Sequence, residues 1–420
     1  MTLQDQVNQS IDQWTFCWTQ TTDRQVTQKK KQPFISQWLR YRKIRNLSKA
    51  CFRKLGEGSQ AATKDEAFSQ AFMTEIEPQA LKLLELLLGV DPATCTDLVR
   101  GTYAQATKDF VTEAKAFDPD MESESIFQAL RNVWIMHSIQ VLMGDQPQHS
   151  SAIFGYSMLY PLTDNYLDRT DLAKEEKKQF NHLFRDRLEG KAPKSLSHHM
   201  SGVFDMVGHM EDAFDRKAYP EVWESILMIQ TSQENSLLQQ SKGTHLTKAQ
   251  VMDLSFRKGG TSVLADGFLV KGSLSKEWIH FLLGYGILLQ LADDLQDLFT
   301  DAADGHMTLF SRDLSPLELE AHIQRLRHFQ DAVFRAFPGE RNATTLALLS
   351  TIQQASDYLI YDATLNARNR CTKQFIHWME QHFPINATQQ VRLKQLWQTM
   401  IQRINPTETL GAGSVRHGTP

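Results

Sequence analysis

The sequence has no long apolar run, no cysteine pairing pattern and no strong excess of charge of either sign. No apolar stretch approaches the ~18 residues that a membrane-spanning helix needs, which argues against an integral membrane protein. The polar, Gln-rich N-terminus is not typical of a signal peptide. The net charge of −4 gives no general reason to bind nucleic acid. Four cysteines without CxxC spacing argue against a zinc site or a disulfide framework, and they are Cys17, Cys51, Cys95 and Cys371. These features predict a cytoplasmic protein without a nucleic-acid partner.

Proline is scarce, and no segment alternates apolar and polar residues in the manner of a strand. The chain has only 13 prolines among 420 residues, and long segments instead carry apolar residues at i, i+3 and i+4 spacing, as in 80–88 and 346–352. The pattern predicts an all-α protein. Among the expected helices are 122–143, 248–272, 275–300, 315–336 and 387–403, whereas the glycines of 56–60 predict a loop.

The composition changes along the chain and predicts three regions. Residues 1–99 form a basic helical extension, residues 100–404 form a single large helical bundle, and the Gly-, Ser-, Thr- and Pro-rich residues 405–420 form a disordered tail. Within the extension, basic residues are interleaved with Trp14, Trp18, Phe34 and Trp38. Either this segment is a peripheral membrane contact, or its aromatic residues pack on the main body and leave a solvated basic face.

A row of aspartates at the end of an apolar helix is the most informative feature of the sequence. Asp293, Asp297 and Asp301 are spaced four residues apart, which places them on one helix face, and Asp294 lies beside the first. Carboxylates on an otherwise buried helix are costly unless positive charge lies against them. Hard divalent cations that also bind phosphate oxygens would supply that charge.

A second acidic pair follows another apolar segment. Asp164 and Asp168 share a helix face at i and i+4. If the two acidic helix ends face each other across a helical barrel, they form a clamp for several Mg²⁺ ions and one diphosphate. The alternative is that each pair is simply a solvated helix end.

Several of these residues resemble a known enzyme superfamily. Gly286, Gln290, Asp293, Asp294 and Asp297 form a G-x3-Q-x2-DD-x2-D pattern similar to the second aspartate-rich motif of trans-polyprenyl diphosphate synthases. Residues 305–310, GHMTLF, are similar to the G-K-x-T-L-P segment of that family, and residues 257–261, RKGGT, resemble its diphosphate-contacting helix break. The resemblance spans roughly residues 125–370 and implies a bundle of the class I isoprenoid synthase type.

The departures from the family pattern bear on the reaction. The first motif is D-x3-D rather than D-D-x2-D, and neither the following Arg pair nor the N-terminal G-K-x-x-R-P acceptor element is present. A D-x3-D first motif is similar to that of large bacterial terpene synthases, and also to that of squalene and phytoene synthases. Binding and ionisation of an allylic diphosphate are therefore expected, whereas a second substrate site is not.

The resemblance implies roles for individual residues. The catalytic carboxylates are Asp164, Asp168, Asp293, Asp294 and Asp297. The ligands of several Mg²⁺ ions bridged by diphosphate are Asp164, Asp168, Asp293, Asp297 and Asp301. The substrate diphosphate is expected to contact Arg257, Lys258, Arg169, Gln290 and Arg368. Aromatic residues near the first motif are candidates for lining a prenyl pocket, either there or simply in the core, and they are Tyr156, Tyr160, Phe154 and Trp134.

Three functions remain open from the sequence. The first is a terpene synthase that ionises one prenyl diphosphate and then cyclises it or eliminates a proton. The second is a prenyltransferase, chain-elongating or head-to-head. The third is a non-catalytic relative that binds prenyl diphosphates or serves as a partner subunit. The resemblance also leaves a homodimer open.

Overall fold

The computed structural model describes residues 1–20, 31–61, 79, 81–83, 85–87, 96, 101–167, 169, 171–240 and 245–404. All the regular elements in these ranges are helical, which confirms the predicted all-α class. In chain order the α-helices are α1 Leu3–Gln20, α2 Phe34–Ala61, α3 Thr102–Phe117, α4 Ser123–Leu142, α5 Ser151–Leu167, α6 Lys174–Leu188, α7 His198–Ala213, α8 Pro220–Ser236, α9 Lys248–Lys271, α10 Lys276–Gln296, α11 Leu298–Asp304, α12 Pro316–Arg335, α13 Ala343–Asn366, α14 Lys373–Glu380 and α15 Ala387–Ile404. Short 3₁₀ helices occur at Leu237–Gln240 and Arg368–Arg370.

The contacts divide the chain into two compact units. The larger unit combines residues 1–27 with residues 100–372, and the smaller unit combines residues 28–99 with residues 373–420. This division does not follow the predicted ranges 1–99 and 100–404, because α1 belongs to the larger unit and residues 373–404 belong to the smaller one. The tail predicted at 405–420 lies outside the described residues.

Helices α9 and α10 share the most extensive helix–helix interface among the described elements of the larger unit. Local sequence sets their ends. Thr247 begins α9 with a capping box that includes Gln250, and the Ser275 hydroxyl caps α10 by accepting a bond from the Trp278 amide. Gly272 ends α9 at a φ of 75°, a left-handed conformation that favours glycine. The two helices are therefore antiparallel neighbours joined by a short turn.

Glycines allow α9 and α10 to approach each other at backbone distance. A Cβ atom built on Gly259 would lie 2.5 Å from the Gly286 carbonyl oxygen, and one built on Gly286 would lie 2.1 Å from the Gly259 carbonyl oxygen. The expectation of a helix break at residues 257–261 is wrong, because α9 runs without interruption from Lys248 to Lys271. The glycines provide space for the partner helix instead.

The N-terminal helix α1 is part of the core of the larger unit. The Trp14 indole stacks on His280 with ring centroids 4.4 Å apart, and its Nε1 donates to the His280 carbonyl oxygen at 2.9 Å. Trp18 is also buried, with its ring near Phe256 and Phe329. For these two tryptophans the interpretation as a membrane contact is wrong, since they pack on the main body.

The smaller unit is built around α2 and α15. Tyr41 and Ile44 of α2 form a buried cluster with Ile385 and Leu393. The structure places residues 56–60 in α2, which extends to Ala61, so the loop predicted there is wrong. Among the described residues, no helix has both the length and the apolar character to cross a membrane.

Candidate functional site

The aspartates of the second motif span the junction of α10 and α11, with Asp293 and Asp294 in the last turn of α10 and Asp301 in α11. Asp297 lies at the junction where α10 ends and α11 begins, and helical hydrogen bonding continues through it: its amide donates to the Asp293 carbonyl oxygen at 2.9 Å, and the Asp301 amide donates to the Asp297 carbonyl oxygen at 2.8 Å. This continuity keeps the three side chains one turn apart on one face.

The carboxylates of Asp293, Asp297 and Asp301 are close enough to influence one another. Desolvation raises the pKa of Asp293, and Asp301 raises it further. Desolvation likewise raises the pKa of Asp297, with added contributions from Asp293 and Asp301. The side chains of Asp293 and Asp297 are nevertheless exposed. We call this cluster of Asp293, Asp297 and Asp301 at the junction of α10 and α11 the acidic recess.

Basic groups from three other elements reach the acidic recess. Arg131 of α4 and Lys258 of α9 both lower the pKa of Asp293 and thereby offset part of the desolvation. Arg131 and His306 do the same for Asp297. His306 Nδ1 also lies 3.1 Å from an Asp301 carboxylate oxygen. The acidic recess therefore has a mixed charge, with carboxylates on one side and three basic side chains around them.

Asp294 differs from its neighbour because it is buried. Its carboxylate accepts a 2.7 Å bond from the Gln290 amide and a 3.3 Å bond from the Ser255 hydroxyl. Desolvation raises its pKa to about 7, although the Gln290 bond and Lys258 act in the opposite direction. The Ser255–Asp294 bond thus links α9 to α10, and Gln290 supports Asp294 from the preceding turn of α10. Asp293 and Asp297 are left as the solvent-facing carboxylates.

The loop after α11 is fixed to the same region. The Met307 amide donates to the Gln239 carbonyl oxygen at 2.9 Å, and the Gln239 amide returns a 2.9 Å bond to the Met307 carbonyl oxygen. The Thr308 hydroxyl accepts bonds from the amides of Phe310 and Ser311, which closes the turn. These bonds hold His306 beside Asp301.

The first acidic motif is only partly within the described residues. Asp164 is exposed near the end of α5, and its charge contributes to the raised pKa of Tyr160 one turn earlier. Asp168 lies outside the described residues. The predicted clamp between the two acidic helix ends therefore stays a prediction.

The predicted diphosphate contacts separate into two groups. Lys258 and Gln290 lie at the acidic recess, as described above. Arg257 instead binds Asp253 at 2.9 Å and Asn8 of α1 at 3.0 Å. Arg169 forms an ion pair with Asp171, with Nε to Oδ1 at 3.0 Å, and Arg368 is exposed in the 3₁₀ turn after α13. None of these three arginines is among the groups that influence the pKa of Asp293 or Asp297.

The predicted pocket aromatics also separate. Tyr156 and Tyr160 lie edge to face on α5, with ring centroids 5.9 Å apart, and the Tyr160 hydroxyl hydrogen-bonds the Ser262 hydroxyl at 2.7 Å. Phe154 is buried and packs against Phe110, Phe117, His149 and His209, so it belongs to the hydrophobic core between α3 and α7. Trp134 is half-buried and contacts the exposed ring of Phe127.

Two functional candidates were not identified from the sequence. Arg131 looks like an ordinary surface residue on α4, and only the folded structure brings it to Asp293. Asp266 looks like an isolated polar residue in an apolar helix, yet it is 0% exposed and accepts a 3.1 Å bond from Asn132 of α4. The signal from which it could have been identified is a lone aspartate in the apolar segment of residues 263–269.

The donor set of the acidic recess fits hard divalent cations. Exposed carboxylates in a desolvated recess are the oxygen ligands that Mg²⁺ prefers. The residues available for this role are Asp293, Asp297 and, by release of His306, Asp301. Within the described part of the chain, no three His, Cys, Asp or Glu side chains are already arranged as a metal site. The fit therefore rests on ligand chemistry and on partners that complete the site, such as phosphate oxygens.

Comparison with known proteins found no matching family model, no matching curated protein and no matching solved structure.

Proposed function

We propose that the acidic recess holds the diphosphate of an allylic prenyl diphosphate through Mg²⁺ and promotes its departure, as a class I terpene synthase does. This reaction needs positive charge on the leaving group and a dry environment, and it does not need a general base. The bound Mg²⁺ ions would supply most of that charge. The residues of the chain bind the ions, orient the diphosphate and exclude water.

The mixed charge of the acidic recess is the observation that carries the proposal. Three carboxylates influence one another there while Arg131, Lys258 and His306 lie around them. A purely acidic cluster would repel diphosphate, and a purely basic one would bind it without metal. Carboxylates for the cations together with basic side chains for the phosphate oxygens suit a metal–diphosphate complex.

The surroundings of the recess support a prenyl substrate. Ser262 lies one helical turn beyond Lys258 on α9, and it bonds Tyr160 of α5. Tyr160, with Tyr156 edge to face against it, therefore lies beside this face of α9, and aromatic rings stabilise positive charge through their faces. After ionisation, we expect the cation to cyclise or to lose a proton.

A prenyltransferase is the second candidate. Residues that resemble the synthase motif have structural roles here. Gly286 crosses Gly259 at close range, and Gln290 donates a hydrogen bond to Asp294. The missing acceptor element and Arg pair argue for the terpene synthase instead.

Product analysis distinguishes the candidates. The protein is incubated with geranyl, farnesyl or geranylgeranyl diphosphate and Mg²⁺, each with and without labelled isopentenyl diphosphate. We expect release of diphosphate and a hydrocarbon or alcohol from a single allylic substrate, without label in the product. A longer labelled prenyl diphosphate would establish the prenyltransferase, whereas tight binding without turnover would establish the non-catalytic relative.

Matched variants connect any activity to the acidic recess. Asp293→Asn should lower turnover on the order of 10² or more, because it removes a metal-binding carboxylate without changing the shape of the side chain. Asp304→Asn is the control, since Asp304 is an exposed aspartate at the end of α11. Equal activity in the two variants would contradict the proposal, as would full turnover in the presence of a chelator.

A further inference from the structure

Asp266 is a buried carboxyl group whose hydrogen bonding is incomplete. The residue is 0% exposed in the C-terminal third of α9, and its Oδ1 accepts a 3.1 Å bond from Asn132. Its Oδ2 is buried and has no hydrogen-bond partner among the described residues. A buried carboxyl without full pairing is costly, so its presence requires an explanation.

The position of Asp266 connects it with the acidic recess. Lys258, Ser262 and Asp266 are spaced four residues apart on α9 and share one face. Asp266 therefore lies two helical turns, or ~12 Å along the helix axis, from Lys258. Lys258 is the residue that acts on Asp293. The line of side chains runs from the charged recess to the interior of the bundle.

Tyrosines from two other helices lie within electrostatic range of the Asp266 carboxyl group. Charge on Asp266 would raise the pKa of Tyr156 and Tyr160 of α5 and of Tyr285 of α10. Burial raises the pKa of all three tyrosines, so they stay neutral near neutral pH. A buried carboxyl group near neutral aromatic residues favours a cation at this place.

The structure supplies no cation of its own there. Burial raises the pKa of Asp266 well above its usual value, and only the hydrogen bond from Asn132 opposes this effect. No basic side chain of the described residues on α1, α4, α5, α8 or α10 contributes. The raised pKa of Asp266 therefore favours the neutral acid over the carboxylate as long as no positive charge lies beside it.

We propose that Asp266 is the buried counter-charge for a cation held inside the bundle beyond the acidic recess. On the proposed function, which this inference deepens, that cation is the allylic cation left after the diphosphate departs. Asn132 orients the carboxyl group, and Oδ2 faces the positive charge. The ligand class is a hydrocarbon cation, and a prenyl chain with a protonated amine is its stable mimic.

Binding of an amine mimic tests the inference. The probe is a tertiary amine on a farnesyl chain, compared with its neutral carbon isostere, each with Mg²⁺ and inorganic diphosphate. We expect the ammonium form to bind on the order of tenfold more tightly than the isostere, because a buried charge prefers an opposite charge. Its affinity should rise between about pH 6 and 8.5, with a proton released from Asp266, because binding favours the ionised carboxylate.

The proton release is measured by calorimetry in buffers of different ionisation enthalpy, which requires no variant. Asp266→Asn should bind the amine no better than the isostere, whereas Asp212→Asn, an exposed aspartate of α7, should behave like the wild type. Equal affinity for amine and isostere in the folded wild-type protein, without proton release, would overturn the inference.

Separate binding measurements distinguish this inference from the proposed function. Magnesium diphosphate alone reports on the acidic recess. If it fails to bind while amine binding still depends on Asp266, the proposed function fails and the counter-charge stands. If it binds while the amine preference is absent, the counter-charge fails and the recess assignment stands.

A second and independent inference concerns the first turns of α2. Phe34, Ile35, Trp38 and Leu39 are all exposed, with exposed fractions of 69, 70, 44 and 48%. The buried face of the same helix contains Gln37, Tyr41, Ile44, Ser48 and Cys51. Ile35 and Leu39 lie opposite this face, whereas Trp38 and Phe34 lie at its side. Four large exposed apolar side chains in six residues form a patch that needs a partner.

Basic residues continue the same face of α2. Arg42, Lys43, Lys49 and Arg53 are exposed further along the helix, and the Arg42 guanidinium lies 5.6 Å from the Trp38 ring centroid. Apolar and aromatic side chains beside basic ones match an anionic membrane surface, where rings enter the interface and cations meet the head groups. We infer that this face of α2 binds anionic lipid bilayers.

Vesicle binding tests this second inference. We expect the full chain to co-sediment with vesicles of phosphatidylcholine and phosphatidylserine, less with phosphatidylcholine alone and less at high salt. The double variant Phe34→Ser, Trp38→Ser should lose on the order of tenfold in binding. Leu317→Ser is the control, because Leu317 of α12 is an equally exposed apolar residue. Equal binding by both variants would overturn the inference. It would also be overturned if the wild-type protein were a dimer and the double variant a monomer, because the patch would then be a dimer interface.

Discussion

At the scale of single residues, adjacent side chains on α9 have different partners. Lys258 acts on Asp293 and Asp294, whereas Arg257 points toward α1 and binds Asp253 and Asn8. In the sequence the two residues form one basic pair. In the helix their side chains point in directions about 100° apart, which gives them different neighbours. The folded structure therefore brings Lys258, and not Arg257, to the carboxylates of the acidic recess.

This separation predicts unequal effects of two neighbouring substitutions. Lys258→Gln should lower diphosphate release on the order of 10², because it removes positive charge from the recess. Arg257→Gln should change it little, since its ion pair with Asp253 lies at the surface. Steady-state rates of diphosphate release from the preferred prenyl diphosphate measure both. Equal losses would show that both basic residues contact the substrate.

Asp266 predicts a pH dependence of stability. Burial raises the pKa of Asp266 in the folded protein above its value in the unfolded chain. The free energy of unfolding is therefore highest at acid pH, where Asp266 is protonated in both states, and it falls as the pH rises toward the pKa of the folded protein. Tyr156, Tyr160 and Tyr285 around it stay neutral in this range. Asp266→Asn does not titrate, and its Tm relative to the wild type should increase from about pH 4 to pH 8.

Thermal unfolding across this pH range measures the effect, with Asp212→Asn as the control. A difference in Tm that stays constant with pH would show that Asp266 titrates normally in the folded protein. A parallel change in the control would assign the effect to surface charge.

The residues missed by sequence analysis have their partners far along the chain. Asn132 and Asp266 are 134 positions apart, and Arg131 reaches Asp293 from another helix. The aspartate spacing that was recognised is local, because positions four apart always share a helix face. Side chains whose partners are distant along the chain produce no regular spacing in the sequence.

At the scale of elements, helix ends were predictable where local signals fix them. The predicted helices 248–272 and 315–336 match α9 and α12 to one residue, since Thr247, Gly272 and Ser315 cap their ends. The glycines at 56–60 predicted a loop, and the family resemblance implied a break at 257–261, but α2 and α9 continue through these residues. Glycine lowers helix propensity, but at Gly259 the packing of α10 decides the outcome.

The crossing of α9 and α10 predicts that added methyl groups separate the helices. In Gly259→Ala the new Cβ would meet Gln290 Cβ at 2.4 Å, and in Gly286→Ala it would meet backbone of α9. Each change should destabilise by about 1–3 kcal/mol through overpacking, and should reduce activity by moving Lys258 away from Asp293.

Gly208→Ala in α7 is the matched control for this prediction. Its Cβ would have only one neighbour, at 3.9 Å, and alanine favours the helix. Denaturant unfolding compares the three variants. If all three have similar free energies of unfolding, the close approach of α9 and α10 is not required.

At the scale of the whole molecule, the chain leaves the larger unit after α1 and returns to it near residue 100. The basic, polar composition of the N-terminal region predicted one extension. The structure divides this region between the two units, because composition does not show where a helix packs. Trp14 shows the difference: it stacks on His280 and covers Gly284, where a Cβ would lie 2.5 Å from the indole. Helix α1 is held in the larger unit by its own tryptophans.

The packing of α1 predicts that Trp14 is a main determinant of stability in the larger unit. Trp14→Ala should cost about 3–5 kcal/mol, because it removes a buried indole and the hydrogen bond to the His280 carbonyl oxygen. Phe16→Ala, on the same helix, should cost little, since Phe16 is 65% exposed. Urea unfolding, followed by the near-ultraviolet signal of the aromatic core, measures both. If the two substitutions have equal effects, α1 is a peripheral extension as the composition suggested. A large effect of Trp14 alone means that residues 1–20 cannot be removed without loss of the fold that positions Lys258 and the acidic recess, because α1 packs directly against α9 and α10.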